Sequence, residues 1–278
     1  MKNLNRSIVS TAKYLILIIV AVLQIYPLYW LLTFSLKSNI EIFNTNPLGL
    51  PQEWMWQNFV EVFSRGNVGA YFLNSVIVTS ASIVISTIVA AMASYAIARM
   101  SWRLSSKSLM LFLAGMMIPI HATLVPLFIV LKQSGLYNTY WALILPYVAF
   151  ALPMAVYVFV GFFRTLPREL EEAACIDGMN IYGIFIKIML PLIAPAIATV
   201  AIFTYLSCWN ELMFAITFVS TESLKTLTAG IMGLVGRFST KWGVVGAGLM
   251  IATIPTLLLY TLMSSQIQKS LTTGAIKG

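Results

Sequence analysis

Charge is scarce in this sequence. Charged residues make up 9% of the 278 residues, whereas hydrophobic residues make up 59%. Soluble domains carry about 25% charged residues, so the deficit is too large for a surface that faces water on all sides. The mean hydropathy is +0.88. The composition therefore predicts an integral membrane protein.

The short alternating pattern of membrane β-strands is also absent, because the apolar runs are too long and too continuous. A membrane-spanning helix needs about 20 mostly apolar residues, and it satisfies its own backbone hydrogen bonds in lipid. The sequence therefore predicts an all-α fold with six spans, at about residues 14–36, 71–98, 108–131, 140–163, 192–219 and 244–266.

Cysteine and histidine are rare. Cys175 and Cys208 cannot build a disulfide framework, and we interpret them as free, small apolar residues. The sequence has no phosphate-binding loop, no His-Glu-x-x-His pair, no Gly-x-Ser-x-Gly turn and no metal-spaced Cys/His cluster. These absences predict a chain that neither hydrolyses nucleotides nor performs covalent chemistry by itself, and that holds no metal.

Linkers rich in glycine, serine or proline are absent too, so residues 1–278 are predicted to form a single transmembrane domain with core spans over 71–266 and a tail over 267–278. The first apolar run, from Tyr14 to about Leu36, is longer than the core of a signal peptide and lacks a small-x-small cleavage site. We expect it to remain as the first span.

Lysine and arginine in short loops orient a membrane protein. With the N-terminus inside, eleven of the 17 basic residues lie on the inner side, which places both termini in the cytoplasm. The formal charge of +8 suits anionic lipid rather than nucleic acid, because no basic cluster is interleaved with aromatics on a soluble face. The inner residues are Lys2, Arg6, Lys13, Arg99, Arg103, Lys107, Arg164, Arg168, Lys187, Lys269 and Lys277.

Two ionisable positions stand out within the spans. Glu211, beside Asn210, is the only acidic residue in the six predicted spans. Carboxylates within a membrane usually face the interior of a helix bundle. Glu211 can line or gate a pathway, or lock helices together, and both interpretations stay open. His121, between Pro119 and Pro126, is either a proton relay or ligand, or a packing or pore-lining residue. The two prolines predict kinks.

The loop between the first and second spans is rich in aromatic residues, namely Trp54, Trp56, Phe59 and Phe63. Their spacing suits a short helix lying at the membrane surface. Interfacial anchoring and contact with a partner protein remain alternatives.

An inner loop, residues 164–190, concentrates acidic residues that are otherwise rare. Thr165 is predicted to cap a helix that begins near Leu166 or Pro167. Gly178 is placed to end that helix in a left-handed conformation. Asn180 is then predicted to cap a second helix over 181–190, and Pro191 to open the next span. The charged residues of the loop are Arg164, Arg168, Glu169, Glu171, Glu172, Asp177 and Lys187.

One face of the first loop helix is predicted to hold Leu170, Ala173, Ala174 and Asp177, which follow helical spacing. Small alanines permit close approach to another surface, and carboxylates pair with its basic groups. The loop is thus either a docking knob for a soluble partner or an amphipathic helix lying against the membrane.

The run Glu172-Ala-Ala-Cys-Ile-Asp-Gly178, followed by Phe185, Ile188, Leu190-Pro191 and Pro195, resembles the EAA signature of ABC importer permeases. Other segments are similar to the maltose-type, carbohydrate-specific branch. They are Met117-Ile-Pro119, Leu124-Val-Pro-Leu127, Trp209-Asn-Glu211, Trp242-Gly243, Pro255, Gln266 and the ending Gly274-Ala-Ile-Lys-Gly278. The resemblance covers essentially the whole chain. Ser270 departs from it, where that branch often carries glycine.

The resemblance implies the type I importer fold, with six spans and a cytoplasmic coupling helix, in a bacterial or archaeal cytoplasmic membrane. It implies a second, often different permease subunit, two cytoplasmic ATPase subunits that bind ATP and Mg²⁺, and an extracytoplasmic sugar-binding protein. Coupling to the ATPase is assigned to Glu172, Ala173, Ala174, Asp177 and Gly178, and contact of the tail with the ATPase to Gly274, Ala275, Ile276, Lys277 and Gly278.

A sugar or oligosaccharide is the substrate that this branch implies. Another solute, such as a polyol, glycerol phosphate or a peptide, is the alternative within transport. The rival from another class is an intramembrane enzyme that uses Glu211 or His121 as an acid or base, and the lack of a partner for either residue argues against it.

Overall fold

The computed structural model describes residues 2–236 and 239–275, with side chains over 10–64, 66–236 and 239–263. Within these ranges the secondary structure is helical, with no strand. The described α-helices are α1 Lys2–Ser35, α2 Gln57–Arg65, α3 Val68–Arg99, α4 Ser105–Gly115, α5 Leu124–Gln133, α6 Trp141–Thr165, α7 Glu169–Ile176, α8 Ile181–Ile184, α9 Leu190–Leu192, α10 Ala194–Trp209, α11 Met213–Phe218, α12 Leu227–Met232 and α13 Trp242–Ala275.

Shorter helical turns lie between some of these helices. Two are π-helical, Glu41–Thr45 and Phe185–Met189, and two are 3-10 turns, Ile120–Thr123 and Glu222–Leu224.

In the part of the chain that the structure describes, four stretches are long and apolar enough to cross a membrane, and two bent pairs of helices pass the same test together. The straight stretches are Ser10–Ser35, Val68–Arg99, Trp141–Thr165 and Trp242–Met263. If each bent pair counts as one span, the number of candidate spans is six, as predicted, although the bounds of the two pairs differ from the predicted ones. The predicted class, an all-α multi-span membrane protein, is confirmed.

The first bent pair replaces the predicted span 108–131. Ser105–Gly115 and Ile120–Gln133 meet at 89°, so the chain turns a corner where the sequence predicted a kink. Pro119 has an extended ψ of 117° and precedes the 3-10 turn. Pro126 lies in the first turn of α5, where a helix needs no N–H donor. His121 is exposed within the turn.

The second bent pair, Ile181–Leu192 and Ala194–Trp209, meets at 73°. The predicted continuous span over 192–219 is wrong, because α10 ends at Trp209 and a separate helix, α11, follows. Pro191 lies inside the helical segment before the bend. Pro195 is the proline in the first turn of α10.

The chain forms two compact units, residues 1–68 with 230–254, and residues 69–229 with 255–278. The prediction of a single transmembrane domain stays a prediction. The second unit has two buried apolar clusters. One contains Phe159, Phe163 and Met189, and the other contains Leu143 and Phe218.

In the first unit, the loop after α1 is organised around a buried lysine. Lys37 is 1% exposed, and its Nζ donates to the carbonyl oxygens of Asn46 and Gly49, both at 2.7 Å, and of Pro47 at 3.4 Å. Burial lowers the pKa of Lys37, and the charge of Glu41 opposes that shift. The predicted aromatic helix of this loop is present as α2, and its position at the membrane surface stays a prediction.

Candidate functional site

The acidic loop begins later than predicted. Thr165 is the last residue of α6, and its hydroxyl donates to the Phe162 carbonyl oxygen at 2.8 Å, so it caps no following helix. Leu166 is extended, with ψ 138°, because the residue before a proline avoids the helical region. Helix α7 therefore starts at Glu169 rather than near Pro167.

Both predicted turn residues at the end of α7 are confirmed. Gly178 has φ +78°, and a Cβ there would meet no atom within 4 Å, so the backbone conformation and not space demands glycine. The Asn180 side chain accepts a hydrogen bond from the Gly183 N–H at 2.8 Å, which caps the helix that starts at Ile181.

The faces of α7 differ from the predicted ones. Ala174 is 3% exposed and belongs to the buried cluster with Phe163 and Met189. The prediction that Ala173 and Ala174 face outward together is therefore wrong, because Glu171 and Ala174, three residues apart, form the inward face. The outward face carries Glu169, Glu172, Ala173 and Ile176, with Asp177 exposed at its end.

Sequence reasoning missed the two most exposed of the large apolar residues described in this loop. Ile176 is 86% exposed and Tyr182 is 74% exposed. No clear signal for them was present in the sequence, because other apolar residues, such as Leu170 and Ile181, lie in the same segment. We define the outward surface as Glu172, Ala173, Ile176, Asp177 and Tyr182.

Sequence reasoning also missed the anchor of α7. The Arg99 guanidinium, at the end of α3, contacts the Glu171 carboxylate, and its side chain is 5% exposed. Tyr95, one helical turn earlier, donates its hydroxyl to Glu171 Oε1 at 2.8 Å. In the sequence, Arg99 contributed only to the orientation count and Glu171 only to the acidic cluster. The spacing of Tyr95 and Arg99 on one helix face was the available signal.

A second candidate site lies deeper in the same unit. A cavity of about 300 Å³ is lined mainly by apolar side chains, with Glu211 at its wall. Two aromatic residues, Phe150 and Phe203, and three hydroxyl-bearing residues, Tyr147, Thr204 and Ser207, contribute to the lining.

Both oxygens of the Glu211 carboxylate accept hydrogen bonds. Its Oε1 accepts from the Phe214 N–H at 2.8 Å, and its Oε2 accepts from the Ala215 N–H at 3.1 Å and from the Tyr147 hydroxyl at 2.8 Å. It therefore caps the N-terminus of α11 and ties it to α6. These contacts stabilise the start of α11 as a helix separate from α10, which ends at Trp209. The locking contacts are observed, and a pathway role stays a prediction.

The other predicted polar residues lie apart from this carboxylate. Asn210 is exposed and donates to the Leu206 carbonyl oxygen at 2.9 Å at the end of α10. His121 is not among the residues that line the cavity. Of the predicted tail, Gly274 and Ala275 end α13, while Ile276, Lys277 and Gly278 lie outside the described residues. Among the described residues, no group of three or more His, Cys, Asp or Glu could hold a metal ion.

Comparison with known proteins now assigns a class. Residues 82–273 match the family described as binding-protein-dependent transport system inner membrane component. The chain is 38% identical to a probable ABC transporter permease protein, YurM, of Bacillus subtilis, over 97% of this chain and 89% of that protein. It is 34% identical to the diacetylchitobiose uptake system permease protein NgcG of Streptomyces coelicolor, over 96% of this chain and 89% of that protein.

A solved structure shares the fold. A bacterial ABC transporter involved in the import of the acidic polysaccharide alginate matches with a TM-score of 0.83 at 20% identity, over 93% of this chain and 96% of that chain.

The fold and the comparisons define a multi-pass ABC transporter permease of the inner membrane. The chain belongs to the family of binding-protein-dependent transport system inner membrane components.

Proposed function

We propose that this permease subunit imports a sugar or oligosaccharide, driven by ATPase subunits that dock on the acidic loop. The observation that carries the coupling assignment is the division of α7 into two faces. Glu171 and Ala174 hold the helix to its own chain. Glu172, Ala173 and Ile176 are left exposed.

The outward surface has the chemistry of a docking site for a soluble protein. Ala173 permits close approach, and the highly exposed Ile176 and Tyr182 offer apolar area that hydrophobic contact would bury. Glu172 and Asp177 can pair with basic groups at the rim. The sequence contains no phosphate-binding loop. ATP and Mg²⁺ therefore belong to the partner, which we take to be two ATPase subunits.

The remaining partners follow from the same class. We propose a second permease subunit and an extracytoplasmic binding protein that delivers the solute. A solved neighbour of 17% identity and TM-score 0.67, over 96% of this chain and 98% of that chain, is an alginate transporter in complex with an alginate pentasaccharide-bound periplasmic protein. ATP and the loaded binding protein would each favour one state of a two-state transporter, and so shift its population.

Relatives support a sugar as the solute. Besides the diacetylchitobiose permease, a melibiose/raffinose/stachyose import permease protein of Bacillus subtilis, MelC, is 33% identical over 94% of this chain and 94% of that protein. We place the pathway beside Glu211, where aromatic and hydroxyl groups line the cavity. Polyols, glycerol phosphate and peptides are the competing solutes, and uptake by proteoliposomes with labelled members of each class decides among them.

The proposed orientation puts both termini and α7 in the cytoplasm and α2 outside. The native Cys175, exposed on α7, reports it directly. A membrane-impermeant maleimide should label Cys175 in inside-out vesicles and leave it unlabelled in right-side-out vesicles. Labelling from the outside would overturn the orientation and, with it, the docking of a cytoplasmic ATPase.

The docking surface is tested by reversing one charge. Glu172→Lys should lower ATPase association by about ten-fold, because losing a favourable charge contact and gaining a repulsive one costs about 1.4 kcal/mol or more. Glu53→Lys is the matched control, since Glu53 is exposed in the loop before α2. Co-purification and binding-protein-stimulated ATP hydrolysis are the measurements. Equal association of both variants would refute docking at this surface.

A further inference from the structure

We propose that Arg99 and Tyr95 form a latch that fixes α7 to the C-terminal end of α3, so that α3 carries any displacement of α7 to the segment 222–228 at its other end. In this assignment Arg99 and Tyr95 are positioning residues, which act through Glu171. The role of the latch in transport rests on the proposed docking of an ATPase at α7. The mechanical connection between α7 and α3 does not depend on that proposal.

The contacts of Arg99 extend beyond an ion pair. Its Nη1 also donates to the carbonyl oxygens of Phe163 at 3.2 Å and Leu166 at 2.9 Å, and its Nη2 donates to that of Pro167 at 3.2 Å. These carbonyls belong to the end of α6 and to the connection into α7. One guanidinium thus binds both the loop helix and the backbone on which that helix would otherwise pivot. Only a planar side chain with five donors makes such a set of contacts.

Tyr95 extends the latch to the other side of the loop. Its hydroxyl donates to Glu171. Its ring packs against Phe163 of α6 at 5.7 Å between centroids and against Phe185 at 5.2 Å. Phe185 lies in the helical segment that follows α7. The end of α3 therefore contacts the chain before, within and after α7.

The opposite end of α3 holds a second segment. The Asn74 amide donates to the carbonyl oxygens of Ser223 at 2.8 Å and Lys225 at 2.9 Å. The Ser75 hydroxyl accepts from the Leu227 N–H at 2.8 Å, and the Tyr71 hydroxyl binds the Glu222 carboxylate. These bonds fix the segment 222–227 to the first turns of the helix.

That segment leads to the turn that contains Glu211. The Thr228 hydroxyl donates to the Glu211 carbonyl oxygen at 2.8 Å, so the segment held by Asn74 and Ser75 is joined to the wall of the cavity. Helix α3 has 32 residues, which gives it a length of about 48 Å. Sharp bends in helices occur mostly at proline, and α3 contains none, so we infer that it moves as one element.

The competing arrangement is a loop that swings by itself. Residues 166–168 and 177–180 would then act as hinges, and α3 would stay in place. The two arrangements differ in what happens when Arg99 is removed. A latched α7 is released, whereas the position of a swinging α7 depends little on Arg99.

The experiment measures the distance between spin labels at Cys175 and at Ser223→Cys, in the full-length chain reconstituted in lipid with Cys208→Ala. Both label positions are exposed. The parent chain should give one narrow distance distribution. Arg99→Gln should lose the narrow peak. Arg99→Lys keeps the charge but not the planar guanidinium with its five donors, so it should retain the narrow peak only in part. Arg103→Gln, an exposed arginine four residues later, is the matched control and should behave as the parent.

A narrow distribution retained in Arg99→Gln would overturn the latch. Should Arg99→Gln fail to accumulate in the membrane, Glu171→Gln and Tyr95→Phe each remove part of the same set and should broaden the distribution to a lesser degree. Exchanging the charges, with Arg99→Glu and Glu171→Arg together, should not restore the narrow peak, because three carbonyl oxygens would face a carboxylate. Restoration by the exchange would contradict the role of the carbonyls.

The outcome also separates the latch from the docking function. Glu172→Lys should keep the narrow distribution while losing ATPase association. Broadening in Arg99→Gln together with normal association of Glu172→Lys would support the latch and refute the docking surface. A narrow distribution in Arg99→Gln together with weakened association of Glu172→Lys would refute the latch and support the docking surface.

Discussion

Two buried cations hold two loops of this protein, and they do so over different distances along the chain. Lys37 binds the carbonyl oxygens of Asn46, Pro47 and Gly49, which lie nine to twelve residues away. The Arg99 guanidinium binds Phe163, Leu166, Pro167 and Glu171, which lie 64 to 72 residues away. Both side chains are almost fully enclosed.

The difference separates a loop that is closed on itself from a loop that is tied to a membrane helix. A lysine ammonium is a compact point charge, which suits three carbonyls gathered by one turn of chain. An arginine fork reaches several groups in a plane, which suits a junction of separate helices. We therefore expect loss of Lys37 to destabilise only the loop after α1, and loss of Arg99 to release α7 from α3.

The largest effect is expected at Lys37. Lys37→Met leaves the carbonyl oxygens of Asn46, Pro47 and Gly49 without their donor and removes the positive charge near Glu41. Each buried acceptor left unsatisfied in this way costs about 1–3 kcal/mol. Thermal unfolding in detergent should show the loss. Lys132→Met, at an exposed lysine, is the control and should change stability by no more than about 0.5 kcal/mol. Labelling of Cys175 should remain as in the parent, and a change there would contradict the local nature of this site.

Glu211 offers an anionic counterpart, with two local partners on α11 and one distant partner, Tyr147 of α6. Glu211→Ala removes the cap of α11 and leaves the Tyr147 hydroxyl and two N–H groups without an acceptor, at a cost of about 1–3 kcal/mol. Glu211→Gln keeps one acceptor oxygen and should lose clearly less. Expression yield and unfolding temperature measure the pair. Assembly with normal stability but impaired transport in Glu211→Gln would instead indicate that the charge serves the pathway.

Gly178 and Gly135 share a left-handed backbone conformation but lie in different parts of the chain. Substituting each one separates the effect of backbone strain from an effect specific to the acidic loop. Gly178 has φ +78° and Gly135 has φ +72°, and neither would meet an atom within 4 Å if a Cβ were added. Gly178→Val and Gly135→Val should therefore lose similar stability, about 1–2 kcal/mol each. Only Gly178→Val should weaken ATPase association, because Gly178 ends α7. An equal loss of association in both variants would show that the effect is a general one on folding.

The smallest effect on stability is expected at the outward face of α2. Trp56, Val60 and Phe63 are exposed at helical spacing, while Asn58 and Val62 are buried. Such a helix suits the membrane interface. Trp56→Gln should change stability by about 0.5 kcal/mol or less, yet it should reduce quenching of tryptophan fluorescence by lipids labelled near the headgroup. Unchanged quenching would favour the alternative of contact with a partner protein.

Sequence patterns predicted what depends on neighbouring residues. Gly178 and Asn180 were assigned correctly because their turn and cap involve residues within a few positions. Thr165 was assigned wrongly, since α6 continues through it and Pro167 delays the next helix. The break after Trp209 was missed although Glu211 caps α11 through the neighbouring N–H groups of Phe214 and Ala215. The hydrogen bond that ties Glu211 to α6 could not be predicted, because Tyr147 is 64 residues away in the chain.

The sequence by itself determined the class of this protein. Apolar runs long enough to span a bilayer force helices, since lipid offers no hydrogen-bond partner to an open backbone, and the charge distribution predicts an orientation. Only the tertiary structure decided which acidic residues of the loop face outward. Glu171 and Glu172 are adjacent and chemically equivalent in the sequence, and their roles separate because Arg99 and Tyr95, more than 70 residues earlier, lie against one of them.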